Sequence, residues 1–85
     1  MRKTINHATQ YTDNIRINTA DELVNAIMFF NTGSDTFTVN TVPVLAGASL
    51  SFTCNQDEID ISTYDVVFLT TSAPQMLVIK KVYSI

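Results

Sequence analysis

Hydrophobic and polar residues alternate most regularly between Thr36 and Cys54, TFTVNTVPVLAGASLSFTC. Phe37 and Val39 fall on one face and Thr36, Thr38 and Asn40 on the other; further on, Leu50, Phe52 and Cys54 oppose Ser49, Ser51 and Thr53. A period of two is what a half-buried strand requires. The two runs read as a β-hairpin core with Phe37, Val39, Leu50 and Phe52 buried, joined by a connection that carries Pro43 and Gly47. Proline removes a ladder donor, which puts the VPV segment at an edge or a bend, and Gly47 is expected to supply the positive φ of a tight turn.

Upstream the pattern is ambiguous. Thr19 to Glu22 has the spacing of a helix capping box, and a helix from Asp21 to Phe30 would align Leu23, Ile27 and Phe30. However, Ile27-Met28-Phe29-Phe30 leaves no polar face over the last turn, and Asn31-Thr32-Gly33-Ser34 is a turn cluster. A strand over Leu23 to Asn31 is therefore predicted. Its apolar residues occupy both parities, so it requires cover on both faces, at the centre of a sandwich or at an interface. Ile15 to Asn18 gives a short alternation, and an acidic loop, NQDEIDIST, follows Cys54. Tyr64 to Thr71 and Gln75 to Tyr83 read as two more strands around Ser72-Ala73-Pro74. Residues 1–14 are polar and unpatterned, an N-terminal arm that orders only against a docking partner, and residues 15–85 form a single domain. About six strands with regular turn signals predict an all-β fold: a small antiparallel β-sandwich, immunoglobulin-like or jelly-roll-like.

Composition adds one constraint to this picture. A chain of 85 residues with a single cysteine, Cys54, is small and has no intrachain disulfide to support it. Association with its own copies or with another protein is the natural remaining support. Charged residues make up only 15%, against roughly 25% in an average soluble domain, so the surface is neutral-polar and weakly defended against association.

The charges that remain are segregated. No basic residue lies between Arg16 and Lys80, whereas seven of the eight acidic residues do; Arg2, Lys3, Lys80 and Lys81 form two basic ends. Nucleic-acid binding needs clustered Lys or Arg on a folded face and is not expected. The start, MRKTINHATQ, has no apolar stretch of the signal-peptide kind, and runs such as Ala26 to Phe30 and Val66 to Leu69 are too short for a membrane helix. The expectation is a soluble, unexported chain without a membrane partner.

Candidate chemistry is sparse. Asp57, Glu58, Asp60 and Asp65 lack the glycine and the acidic spacing of a calcium loop, and a glycosidase pair would need a sugar cleft in a chain that has no Trp. His7 and Cys54 are the only candidates for an imidazole base and a thiol nucleophile; Cys54 has the parity of a buried hydrophobe and His7 lies in the arm. One Cys and one His fall short of a zinc site. With Gly33 and Gly47 as the only glycines, no phosphate-binding fingerprint can be written. The expectation is a non-enzymatic chain without a cofactor.

The run from FFNTGSDTFTVNTVPVLAG to Phe68, followed by MLVIKKVY, resembles the small β-rich auxiliary capsid (head decoration) proteins of crAss-like tailed bacteriophages. The elements that carry the likeness are Asn31 to Gly33, Thr38 to Asn40, the A-G-x-S-x-x-F step from Ala46 to Phe52, and the N-x-x-E-I-D stretch from Asn55 to Asp60. Such proteins would more often carry Gly near position 41 and Pro near position 46, where this chain has Thr41 and Ala46. The resemblance implies a virion structural protein, assembled in the host cytoplasm, that binds the major capsid protein or other virion subunits in many copies. An adhesive or carbohydrate-binding β module is the alternative. Combined with the two-faced strand and the basic ends, the reading makes Arg2, Lys3, Ile27, Phe29, Lys80 and Lys81 the candidate contact residues, with self-association open as well.

Overall fold

Alternation along the chain translates into eight strands in the computed structural model, which describes residues 3–20, 22–69 and 72–84. They are β1 (Thr4–Tyr11), β2 (Ile15–Asn18), β3 (Val24–Asn31), β4 (Phe37–Val39), β5 (Val42–Val44), β6 (Ser49–Thr53), β7 (Thr63–Phe68) and β8 (Met76–Tyr83). The fold is all-β, as the patterning predicts, with eight strands in place of about six. The additional strands are β1 and the short β5, where apolar alternation is weakest.

The strands form two antiparallel sheets, ordered β1-β8-β3-β6 and β2-β7-β4-β5. The pairs β1–β8, β2–β7 and β4–β5, together with β3–β6, are those of one long hairpin whose tip is the β4–β5 turn. Rolling that hairpin adds the contacts β3–β8 and β4–β7 and distributes its strand pairs alternately between two layers, so that each sheet holds two strands from each arm. This is the winding of a jelly roll rather than that of an immunoglobulin domain.

The two runs at the centre of the sequence are consequently not partners. Phe37 and Val39 lie on β4 in one sheet, and Leu50 and Phe52 lie on β6 in the other, so they face one another across the core and share no ladder. The hairpin that does form is β4–β5, closed by Asn40 and Thr41 at φ values of 48° and 71°. Positive φ at both central residues is the requirement of the two-residue turn that matches strand twist. Pro43 sits in the edge strand β5, and Gly47 adopts φ 79° in the turn that carries the chain back to the first sheet.

The core is a single cluster between the layers. Ile27, Phe29 and Val78 from one sheet meet Phe37, Val39 and Val66 from the other, with Leu50 and Phe52 partly buried at the margin. Phe29 stacks edge-on against Phe52 and at a tilt against Tyr64.

Two features read from sequence take another form. No helix follows Thr19: the Glu22 amide donates to the Thr19 carbonyl at 3.2 Å, Asn18 Oδ1 accepts from the Ala20 amide at 2.9 Å, and β3 begins at Val24, while Asp21 lies outside the described residues. The stretch expected to be an arm is mostly β1, which pairs along its whole length with the chain's own β8.

Buried polar side chains fix the layers at both ends. Asn31 on β3 donates to the carbonyls of Asp35 (2.7 Å) and Val44 (3.0 Å), which ties one sheet to the edge of the other. Asp35 accepts from Ser72 Oγ (3.0 Å) and from the Ala73 amide (2.8 Å), so the connection into β8 is held at the same end. At the opposite end Asn25 donates to the carbonyls of Asn55 and Glu58, both at 2.9 Å, anchoring the acidic loop.

Candidate interaction surface

The strand β3 carries apolar side chains on both faces, and its two faces have different fates. Ile27 and Phe29 are fully enclosed in the chain's own core. Met28 and Phe30 point away from it and are half-buried. On the neighbouring strand, Ile79 lies directly opposite Met28, and Leu77 directly opposite Phe30, and these two are also half-buried. The four make an apolar patch at the centre of the outer face of the β1-β8-β3-β6 sheet.

Along its two flanking strands the border is made of small or polar uncharged residues. On the β1 side Ala8 and Gln10 flank Ile79 and Leu77, and on the β6 side Ser51 and Ser49 flank Met28 and Phe30. Lys81 stands on the same face, between Ala26 of β3 and Asn6 of β1. A hollow lined by Thr4, Cys54, Asp57, Lys81 and Tyr83 opens at that end. The reachable residues of β3 are therefore Met28 and Phe30 rather than Ile27 and Phe29.

Among the described residues the basic ends do not share one face. Arg2 lies outside the described residues. Lys3 is exposed just ahead of β1. Lys80 faces the core side of its sheet, opposite Ile27, and its Nζ lies 2.7 Å from Glu22 Oε2. Lys81, its neighbour along the strand, faces outward.

The acidic residues are engaged separately. Asp65 pairs with Arg16 at 2.6 Å on the surface of the second sheet. Glu58 Oε1 accepts from the Asn55 amide at 3.0 Å, and Asp60 turns inward to accept from Tyr64 and from the Ser62 amide. Burial pushes the Asp60 carboxyl upward, but its hydrogen bonds from Tyr64, Ser62 and Thr19 outweigh burial and hold it below the usual value. Tyr64 is raised well above the ordinary phenol range by its burial first and by Asp60 second. Among the described residues no group of three His, Cys, Asp or Glu side chains is placed to hold a metal ion.

His7 and Cys54 lie at opposite margins of one sheet. His7 is on β1, and Cys54 directly follows β6, with β8 and β3 between those strands. They cannot act as a dyad. Burial pushes the Cys54 thiol upward, and the charges of Asp60 and Glu58 push in the same direction, which disfavours the nucleophilic thiolate.

The chain matches no family model, no curated protein and no solved structure.

Sequence reasoning singled out the strand that carries the patch but not the face. The parity is decided by the enclosure of Ile27 and Phe29 in the core. Leu77 and Ile79 share a parity that the alternation of β8 already displays, so that half of the patch was accessible from sequence.

Proposed function

We propose that this chain is a non-enzymatic structural subunit, an auxiliary capsid protein that seats the outer face of its β1-β8-β3-β6 sheet on the major capsid protein or other virion subunits. The observation that carries this reading is the patch of Met28, Phe30, Leu77 and Ile79, only partly covered at the centre of a sheet face and framed by Ser, Gln and Ala. A contiguous apolar surface with a polar rim is the anatomy of a protein–protein contact. Jelly rolls are recurrent in capsid and lectin domains, and that analogy of fold supports the reading without carrying it. A sugar-binding role is less well supported, since Tyr64 and Tyr83 are buried and Tyr11 is half-buried, leaving few open ring faces for stacking.

Particles purified by density gradient from producing cells test this proposal. The wild-type chain is expected to co-sediment with them in many copies, and Met28→Ser combined with Phe30→Ser to lower that copy number while the isolated chain stays folded. A chain that remains wholly in the soluble fraction, or a double variant that loads at wild-type level, would overturn it.

A further inference from the structure

Exposed sheet edges invite pairing, and folds commonly guard them with short strands, charges, proline or a covering loop. Three of the four edges here are guarded. β2 is 4 residues long and carries Arg16 in its ion pair with Asp65. β5 is 3 residues long with Pro43 at its centre. β6 is 5 residues long, and Ile59 to Ser62 of the acidic loop line one groove with it.

Among the described residues β1 has none of these devices. It is 8 residues long, TINHATQY, without Pro, Asp, Glu, Lys or Arg, and every residue but the half-buried Tyr11 is exposed. Its register with β8 is unbroken from Thr4↔Tyr83 to Tyr11↔Met76. A strand that contributes almost nothing to its own core has a hydrogen-bonding edge as its main asset.

The direction of that edge follows from the ladder. The Ser84 amide donates to the Lys3 carbonyl at 2.8 Å, so in this register Lys3, Ile5, His7, Thr9 and Tyr11 turn their backbone groups toward β8. Thr4, Asn6, Ala8 and Gln10 turn theirs outward.

We propose that two copies of the chain pair β1 against β1, antiparallel, across a two-fold axis at His7, and so join their sheets into one continuous sheet. Only one register satisfies every outward backbone group: Thr4 opposite the copy's Gln10, and Asn6 opposite its Ala8. A shift of two residues either way leaves Thr4 or Gln10 unpaired. The side chains suit the same register. Ile5, exposed at 47%, meets the β-branched Thr9 of the copy, a favourable cross-strand pair. Lys3 meets Tyr11, and His7 meets His7 on the axis, the one place on the seam where two ionisable side chains of the same kind face each other. The two Lys80 side chains are held apart by both β1 strands, about 14 Å at the usual strand spacing, and each is neutralised by its own Glu22. An isologous contact requires this kind of self-complementarity, which a heterologous partner would not demand. The pairing uses the edge of the sheet and is independent of the capsid reading, which concerns its outer face.

Sedimentation equilibrium of the purified chain, with three variants, tests the proposal. The wild type is expected to show a concentration-dependent dimer. Ala8→Pro removes an outward donor and leaves the bonds to β8 intact, so it should be a folded monomer. In a Cys54→Ser background, His7→Cys should give a disulfide-linked dimer under mild oxidation, because residues opposite one another at a non-hydrogen-bonded site lie about 4.5 Å apart, within the range of about 4.4–6.8 Å that a disulfide spans. Asn6→Cys, which faces Ala8 of the copy, should not. A wild-type chain that stays monomeric at millimolar concentration overturns the proposal, as does undiminished dimerisation of Ala8→Pro or stronger cross-linking at position 6 than at 7. Should Ala8→Pro fail to fold, amide exchange in the wild type decides: protection of the Asn6, Ala8 and Gln10 amides that rises with concentration supports the pairing, and fast exchange at every concentration overturns it.

Discussion

The phenol of Tyr64 on β7 donates its hydrogen bond to the buried carboxylate of Asp60, in the loop that leads into that strand. The carboxylate also accepts from the Ser62 amide at 2.7 Å and from the Thr19 hydroxyl at 3.3 Å. One carboxylate thus holds the acidic loop, the turn before β3 and the start of β7 together. Truncating one donor leaves a buried charge short of a partner, so Tyr64→Phe should cost about 1.5–3 kcal/mol in urea unfolding at neutral pH.

The same carboxylate sets an acid limit. Asp60 is held below its ordinary value in the folded chain, so its stabilising contribution is complete above the unfolded value of about 3.9. That contribution disappears as pH falls through the lower folded value. Urea midpoints measured between pH 6 and pH 2 should fall more steeply for the wild type than for Asp60→Asn, whose side chain does not titrate. Parallel curves for the two would mean that Asp60 is not linked to folding.

Core energetics should separate two phenylalanines that the sequence presents as equals. Phe29 is fully buried between Phe52 and Tyr64, with ring centroids at 6.4 and 5.3 Å. Phe52, on the edge strand β6, is only half-buried. Phe29→Ala should cost about 3–5 kcal/mol, a large share of the roughly 5–15 kcal/mol that holds a typical domain folded. Phe52→Ala should remain folded with a lower melting temperature. Circular dichroism melts of the two variants decide the order.

That difference marks where the sequence stops being informative. Period-two alternation identifies Phe37, Val39, Leu50 and Phe52 as inward-facing, because burial on one face imposes it locally. It carries no record of which sheet each strand joins, since the rolling of the long hairpin is decided by contacts between distant residues. β1 is not legible in the sequence for a related reason: TINHATQY is paired through its backbone and buries almost nothing, so no apolar period is imposed on it. The buried polar residues were hidden as well. Asn25 reads as a strand impurity until its partners at Asn55 and Glu58 are in place.

A specific local conflict remains in the β4–β5 turn. Thr41 adopts φ 71°, a region that costs a side-chain-bearing residue roughly 1–2 kcal/mol, and more so one branched at Cβ. Asn40 tolerates its own φ of 48° and is held there: its side chain accepts from the Asp65 amide at 2.8 Å and donates to the Thr63 carbonyl at 3.2 Å. Asn-Gly is the preferred pair for such a turn. Thr41→Gly should therefore stabilise the chain by about 1 kcal/mol, the relief of strain being offset in part by the freedom glycine adds to the unfolded state. A lower urea midpoint for this variant would refute the strain argument.

The two glycines of the chain should respond to alanine for opposite reasons. At Gly47 the backbone is left-handed, φ 79°, and an added Cβ would meet nothing within 4 Å. Gly47→Ala is thus penalised by conformation alone, at about 1–2 kcal/mol. Gly33 has no such φ, but a Cβ there would lie 2.7 Å from the Ala73 carbonyl oxygen and 2.9 Å from the Gln75 nitrogen. Both are backbone atoms, and the connection that bears them is pinned by the Asp35 hydrogen bonds to Ser72 and Ala73, so it cannot withdraw cheaply. Gly33→Ala should cost about 1–3 kcal/mol through overpacking. The two mechanisms separate in a double variant: Asp35→Ala, which releases the connection, should reduce the further cost of Gly33→Ala and leave that of Gly47→Ala unchanged. Equal coupling of Asp35→Ala to both glycine variants in a double-mutant cycle would show that the clash at Gly33 is not what limits it.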